Sequence, residues 1–264
     1  MKRIGFIGGG AMGEAFIRGL LTRGRDPNTI AVSEKNLERL DLLKKNYGIV
    51  SFRENRELVR FGEIIILAVK PQNLLEAVES FSSLITSDKL LVSILAGVTR
   101  AKIESLLPQG SKVIRAMPNT PALIGAGATV LAAGPGVAPG ELQSVCEVFE
   151  AVGSVTVLPE DMLNAVTGLS GSGPAFAYLF IEALADGGVM AGLPRDTAYK
   201  LAAMTVKGAA MMVLDSKLHP AQLKDMVTSP GGTTIYGLLE MEKAGVRGAV
   251  MKTVVTAAKR AEEL

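Results

Sequence analysis

Lys2-Arg3-Ile4-Gly5-Phe6-Ile7-Gly8-Gly9-Gly10-Ala11-Met12-Gly13 is the stretch that decides the fold. Its first half reads as a buried strand. The apolar run Ala15-Phe16-Ile17, continued by Gly19-Leu20-Leu21, has the period of a helix. The G-x-G-x-x-G spacing is weak evidence alone, yet here it sits between a strand and a helix, where dinucleotide binding requires it. Gly8 is expected to make the tight turn, Gly10 to let a pyrophosphate approach, and Gly13 to let helix and strand pack closely. Ala11 and Met12 belong to the same loop and are expected to contact the cofactor.

Working outward, the strand Thr29-Ile30-Ala31-Val32 ends at Ser33-Glu34-Lys35-Asn36, where the adenosine ribose is read. A carboxylate on the ribose fits NAD, whereas hydroxyl and basic groups fit the extra phosphate of NADP. The sequence offers both. Ser33 and Lys35 favour NADP(H) if Glu34 points away, and NAD(H) stays admissible. Further strands are read at Ile64-Ile65-Ile66-Leu67-Ala68-Val69, at Leu90-Leu91-Val92-Ser93-Ile94 and at Lys112-Val113-Ile114-Arg115-Ala116. Strands alternating with helical segments predict βαβ units, a doubly wound parallel sheet of Rossmann type. Ligands bind beyond the carboxyl ends of such strands. Ala68, Val69, Lys70, Pro71, Ala96, Gly97, Pro118 and Asn119 all follow strands, and together they predict the nicotinamide pocket.

After Val155-Thr156-Val157-Leu158-Pro159 the strand signals stop and helical periods run to the end. The α/β domain is therefore set at 1–159 and an all-helical domain at 160–264. A long helix is expected to end at Asp186-Gly187-Gly188, the next to run from Thr197 to about Leu214, and the last from Arg247 to Glu262. Segments such as Ala209-Ala210-Met211-Met212-Val213 are apolar around most of the helix and call for cover, which predicts a dimer. Thr228-Ser229-Pro230-Gly231-Gly232-Thr233-Thr234 breaks these helices. It is expected to leave backbone amides and four hydroxyls free at a helix N-terminus, a setting suited to a carboxylate. On local chemistry alone an ordinary interhelical turn accounts for the segment equally well.

Composition narrows the classes. A formal charge of +2, no Trp and four Tyr argue against nucleic acid. A single Cys, Cys146, and no Cys/His cluster argue against a disulfide framework or a metal and fit a reducing cytoplasm. The basic start Met1-Lys2-Arg3 leads into an apolar run too short for a signal peptide, and no stretch is long enough to span a membrane. Between Met162 and Pro194 the only charged residues are Glu182 and Asp186, and the only histidine is His219. Alcohol dehydrogenation needs a proton shuttle, usually His or Lys. A protonated imine is already electrophilic and needs alignment more than a strong acid, so imine reduction suits the chain better. A β-hydroxyacid dehydrogenase would require a lysine in the long helix, and a nucleotide sensor would not require the 229–234 hydroxyls.

Five motifs in order carry a resemblance across essentially the whole chain. They are Gly8-Gly9-Gly10-Ala11-Met12-Gly13, Val69-Lys70-Pro71-Gln72, Met117-Pro118-Asn119-Thr120-Pro121, Ser170-Gly171-Ser172-Gly173-Pro174-Ala175 and Ser229-Pro230-Gly231-Gly232-Thr233-Thr234. Together they resemble the pyrroline-5-carboxylate reductases. The resemblance implies an interlocked helical dimer, assembling in that family into decamers. It implies that pyrroline-5-carboxylate is held through its carboxylate by Ser229, Gly231, Gly232, Thr233 and Thr234. Thr234, the implied catalytic residue, would lie near the ring nitrogen, and Pro118 and Asn119 would face the nicotinamide. NADPH is the common cofactor of the family, and Glu34 departs from the neutral or basic pattern of a strict NADPH user.

Overall fold

The computed structural model describes residues 2–263. Met1, the first residue of the basic start, and Leu264, the last of the helical domain, lie outside the described residues. The chain opens with β1 (Ile4–Ile7), α1 (Ala11–Thr22), β2 (Ile30–Ser33), α2 (Leu37–Tyr47), β3 (Val50–Phe52) and α3 (Asn55–Phe61). It continues with β4 (Ile64–Leu67), α4 (Leu74–Glu79), β5 (Leu90–Ser93), α5 (Arg100–Glu104), β6 (Lys112–Met117), β7 (Gly127–Ala133), α6 (Pro139–Glu150), β8 (Gly153–Val157) and α7 (Leu163–Val166). The helical part holds α8 (Gly173–Met190), α9 (Arg195–Ser216), α10 (Pro220–Met226), α11 (Thr233–Lys243) and α12 (Val246–Glu262).

The eight strands form one sheet in the order β3-β2-β1-β4-β5-β6-β7-β8. Every residue of β1, β2, β4 and β5 is buried. That pattern belongs to strands covered on both faces, which read as continuous rather than alternating apolar runs. One core layer packs Phe6, Phe16, Ile17 and Phe149 together, the rings of Phe16 and Phe149 meeting edge-on at 4.6 Å. The opposite layer is built from Leu58, Ile65, Leu91 and Val113. The chain leaves β1 for β2 on one side and pairs β1 with β4 on the other, so the order reverses at β1. Such a reversal opens a crevice at the carboxyl ends of the strands.

Two strands lie outside the sequence reading. β3 has three residues, too few for a periodic signal. β7 is rich in Gly and Ala, poor strand formers, and it runs antiparallel to β6. The sheet is consequently mixed rather than wholly parallel.

By internal contacts the chain divides into one unit comprising residues up to Ser172 with those from Thr256 onward, and a second unit, Gly173–Val255. In the second unit α8 and α9 pack through a seam of Ala185, Ala198 and Ala202, flanked by Ile181 and Val189. The expected stop at Asp186-Gly187-Gly188 does not occur, since α8 runs on to Met190. A Cβ at Gly188 would come within 3.3 Å of Ala198 and Leu193. Its glycine serves close helix packing, and the chain turns only at Gly192, with φ +95°. α9 begins and ends two residues beyond the expected limits. The seam buries little, and Leu179, Met204, Met211, Met212 and Leu214 stay exposed on the single chain. Among the described residues no helix is long and apolar enough to cross a membrane.

Candidate active site

The loop between β1 and α1 is shaped by glycines at two contacts. Gly8 has φ +103°, and a Cβ there would lie 2.6 Å from the Ala68 carbonyl oxygen. A Cβ on Gly13 would lie 2.5 Å from the Gly8 carbonyl oxygen. Gly10, by contrast, has no atom within 4 Å of where its Cβ would stand. It forms the N-cap of α1 with no side-chain hydrogen bond. The first-turn amides therefore face an open cradle without a partner of their own, the arrangement that binds phosphate.

A cleft of about 410 Å³ runs from this cradle along the strand ends. It brings together Gly8, Gly10, Ser33, Glu34 and Lys35 with Ala68, Val69 and Lys70. Ala11, Met12 and Gly13 form the start of α1 beside it. Pro71 and Gly97 line an adjoining hollow beside α5, and Ala96 precedes Gly97 on the same loop. Pro118 is buried. Asn119 is held at both ends of its amide: its Oδ1 accepts from Ala128 N at 2.9 Å, and its Nδ2 donates to Ser170 O at 3.1 Å. Ser170 lies in the widened π-type turn Thr167–Gly171 that leads toward α8.

The adenosine end holds the main departure from expectation. Glu34 does not point away. Its Oε2 accepts from Gly9 N at 2.8 Å and its Oε1 from Asn36 N at 3.0 Å. Ser33 is buried and donates its hydroxyl to Asn55 Oδ1 at 2.8 Å. Lys35 forms an ion pair with Glu76. Asn55 itself lines the cleft and escaped the sequence reading. The only signal was a polar residue opening a helix after a strand too short to see. Glu14, in the first turn of α1, accepts from Tyr47 and pairs with Arg39, whose Nε donates to Gly9 O at 2.8 Å. The Tyr47 hydrogen bond, with Arg39 close by, holds the Glu14 carboxyl below its ordinary range.

The residues at 228–234 form a tight turn. Gly231 has φ +66°, and Gly232 N donates to Ser229 O at 3.1 Å. A Cβ on Gly232 would strike the Ser229 hydroxyl at 2.2 Å, so the serine can fold back only over glycine. The expectation of free groups throughout this break needs two corrections. The Gly232 amide is used by the turn, and Thr228 donates its hydroxyl to Lys224 O at 2.7 Å to close α10. Ser229, Thr233 and Thr234 remain as hydroxyls at the start of α11. Its N-cap, Gly232, supplies no side-chain bond to the first-turn amides. His219 caps α10, accepting from Ala221 N at 3.2 Å.

Two family models match, "Pyrroline-5-carboxylate reductase dimerisation" over residues 160–264 and "NADP oxidoreductase coenzyme F420-dependent" over residues 3–97. Over 264 residues the chain is 45% identical to the pyrroline-5-carboxylate reductase of Methanosarcina acetivorans, covering 100% of this chain and 98% of that one. This chain belongs to the pyrroline-5-carboxylate reductase family. The solved pyrroline-5-carboxylate reductase of Coxiella burnetii superposes with a TM-score of 0.96 at 37% identity, covering 99% of this chain and 98% of that one. The Plasmodium falciparum pyrroline carboxylate reductase, solved with NADP bound, gives a TM-score of 0.88 at 33% identity, with 99% and 97% covered. The likeness to this reductase family thus runs end to end. It takes in both the glycine cradle and the turn before α11.

Proposed function

We propose that this chain reduces (S)-1-pyrroline-5-carboxylate to L-proline, the last step of proline biosynthesis, with either NADPH or NADH, since the turn of Glu34 into the cleft removes the condition on which a preference for NADPH rested. The observation that carries the reading is the full-length likeness to enzymes of that name. The open glycine cradle at Gly10 supports a dinucleotide, and the uncapped start of α11 supports a carboxylate. When bound, the cofactor supplies the hydride. Gly8, Gly10 and the first-turn amides of α1 would hold its pyrophosphate, with Ser33, Glu34, Lys35 and Asn55 around the adenosine ribose.

The chain's own part is alignment. The amides of Thr233 and Thr234, with the Ser229 and Thr233 hydroxyls, bind the substrate carboxylate, whose binding energy fixes the ring in place. Thr234 Oγ1 sits at the second position of α11, where it hydrogen-bonds the ring nitrogen region and passes a proton between nitrogen and solvent. No stronger acid is required, because an iminium already accepts hydride. Residues 1–159 serve the cofactor, and residues 160–264 serve dimerisation and substrate. The exposed apolar faces of α8 and α9 support a dimer, assembly into a decamer is what the family resemblance implies, and the single cysteine fits the cytoplasm. The test is NAD(P)H oxidation followed at 340 nm with pyrroline-5-carboxylate, against 3-hydroxy acids with NAD(P)+. Turnover with the imine alone supports the reading. Binding of cofactor without turnover would replace it with a sensor.

A further inference from the structure

We infer that Glu34 sets the selectivity between the two nicotinamide dinucleotides, lowering affinity for the one that carries a 2′-phosphate. The inference rests on the dinucleotide reading above and adds the residue that decides between its two forms. Glu34 follows β2, about twenty residues beyond the glycine loop, the position from which a carboxylate accepts a ribose 2′-hydroxyl. Two backbone amides, Gly9 N and Asn36 N, fix its oxygens. Swinging out of the cleft would break both bonds and leave the buried Gly9 amide without its acceptor. A 2′-phosphate would bring its charge against a carboxylate that has nowhere to go.

The neighbouring cations do little to offset this. Lys35 is paired with Glu76. Arg39 is committed to the Gly9 carbonyl and to Glu14. Ser33 turns its hydroxyl to Asn55 rather than into the cleft. Lys70 lines the same cleft but follows β4, where the nicotinamide is expected. Beside the ribose position the cleft therefore presents Glu34 and a lysine already paired, with no unpaired cation there among the described residues to meet a doubly charged group.

The experiment measures dissociation constants of NADPH and NADH by titration calorimetry on the full chain, with and without Glu34→Gln and Glu34→Ser. Adenosine 2′,5′-bisphosphate and 5′-AMP serve as probes of the adenosine end alone. Glutamine keeps an acceptor for Gly9 N and removes the charge, and serine vacates the space. Both variants should raise the ratio of the NADH to the NADPH dissociation constant about tenfold, and the bisphosphate should gain over 5′-AMP by a similar factor. Equal loss of both dinucleotides in both variants would overturn the inference and leave Glu34 as a prop of the glycine loop. An unchanged ratio would overturn it too. Failure of the unsubstituted chain to bind either dinucleotide would overturn the dinucleotide reading itself, and this inference with it.

Discussion

Substituting alanine at Gly13 and at Gly10 separates packing from ligand contact within one loop. At Gly13 the new methyl would sit 2.5 Å from the Gly8 carbonyl oxygen, a backbone atom, where ordinary contact begins about 1 Å farther out. Gly8 is held in place by its own N–H, which donates to Ser33 O at 2.9 Å, in a turn with φ +103°. α1 must therefore lift from the sheet by roughly 1 Å. Overpacking of this kind costs about 1–3 kcal/mol, which for a chain of this size lowers Tm by roughly 4–8 °C at the middle of that range. At Gly10 the backbone is extended, φ −66° and ψ −175°, and no atom lies within 4 Å of the added methyl. Gly10→Ala should leave Tm within about 2 °C. It should nonetheless weaken NADPH binding at least tenfold, since the methyl occupies the cradle. Differential scanning fluorimetry and cofactor fluorescence on the two variants read both quantities. Unaltered NADPH affinity in Gly10→Ala would refute the placement of the pyrophosphate. An unaltered Tm in Gly13→Ala would refute the claim that this glycine is held by contact.

Three further outcomes follow from the geometry. Thr234→Ala removes a hydroxyl that no other described residue engages and should lower kcat/KM about 10- to 100-fold, the size of a hydrogen bond to a charged group, with Tm nearly unchanged. Steady-state kinetics at fixed NADPH check it, and unchanged kcat/KM would exclude Thr234 from the site. Glu14 has a folded pKa below its unfolded one, so its stabilising contribution is present above the unfolded value, about 4.3, and is lost as pH falls through the folded value. Glu14→Gln should therefore lower Tm by a few degrees at pH 7 and by progressively less below about pH 4, as read by thermal melts across pH. Met211→Asp places a charge on the exposed apolar face of α9 and should shift the sedimentation coefficient from oligomer toward monomer at micromolar concentration.

The sequence carried most of the α/β half because its central strands are buried on both faces and read as unbroken apolar runs. β3 and β7 escaped for opposite reasons. One is too short to show a period. The other is built of Gly and Ala, whose strand form depends on pairing with β6. In the helical half, Gly187 and Gly188 read as a stop because glycine weakens an isolated helix by about 1 kcal/mol. Packing of α8 on α9 at the Ala198 contact offsets that cost, and tertiary contact is invisible to a local reading. Residues that line the cleft, such as Gly8, Gly10, Ser33, Glu34 and Lys35, were legible by position along the chain, yet their orientations were not. No spacing rule indicates that Glu34 turns inward to Gly9, that Ser33 turns to Asn55, or that Asn119 spans Ala128 and Ser170. Those choices are made by hydrogen bonds between segments distant in sequence.

The two candidate ligand sites rest on the same local device. Among the helices whose N-cap is defined, only α1 and α11 have glycine there, Gly10 and Gly232. Both caps are extended, Gly232 with φ −77° and ψ 170°, close to the values at Gly10, and neither supplies a side-chain bond. On α2, α5 and α10 a first-turn amide is met from within the chain, by Asn36, Thr99 and His219, whereas α3, α4, α7 and α9 lack a side-chain cap but carry no glycine at the N-cap. Glycine is a poorer cap than Asn or Ser by only a few tenths of a kcal/mol. The small loss of stability leaves the amides open to an anion from outside. At the second candidate site the proposed ligating groups are amides and hydroxyls rather than a cation. A Lys or Arg side chain would reach a carboxylate by flexing, whereas amides fixed in a helix turn hold it in one orientation. For a hydride acceptor that needs no strong acid, orientation is the larger part of what a protein can supply.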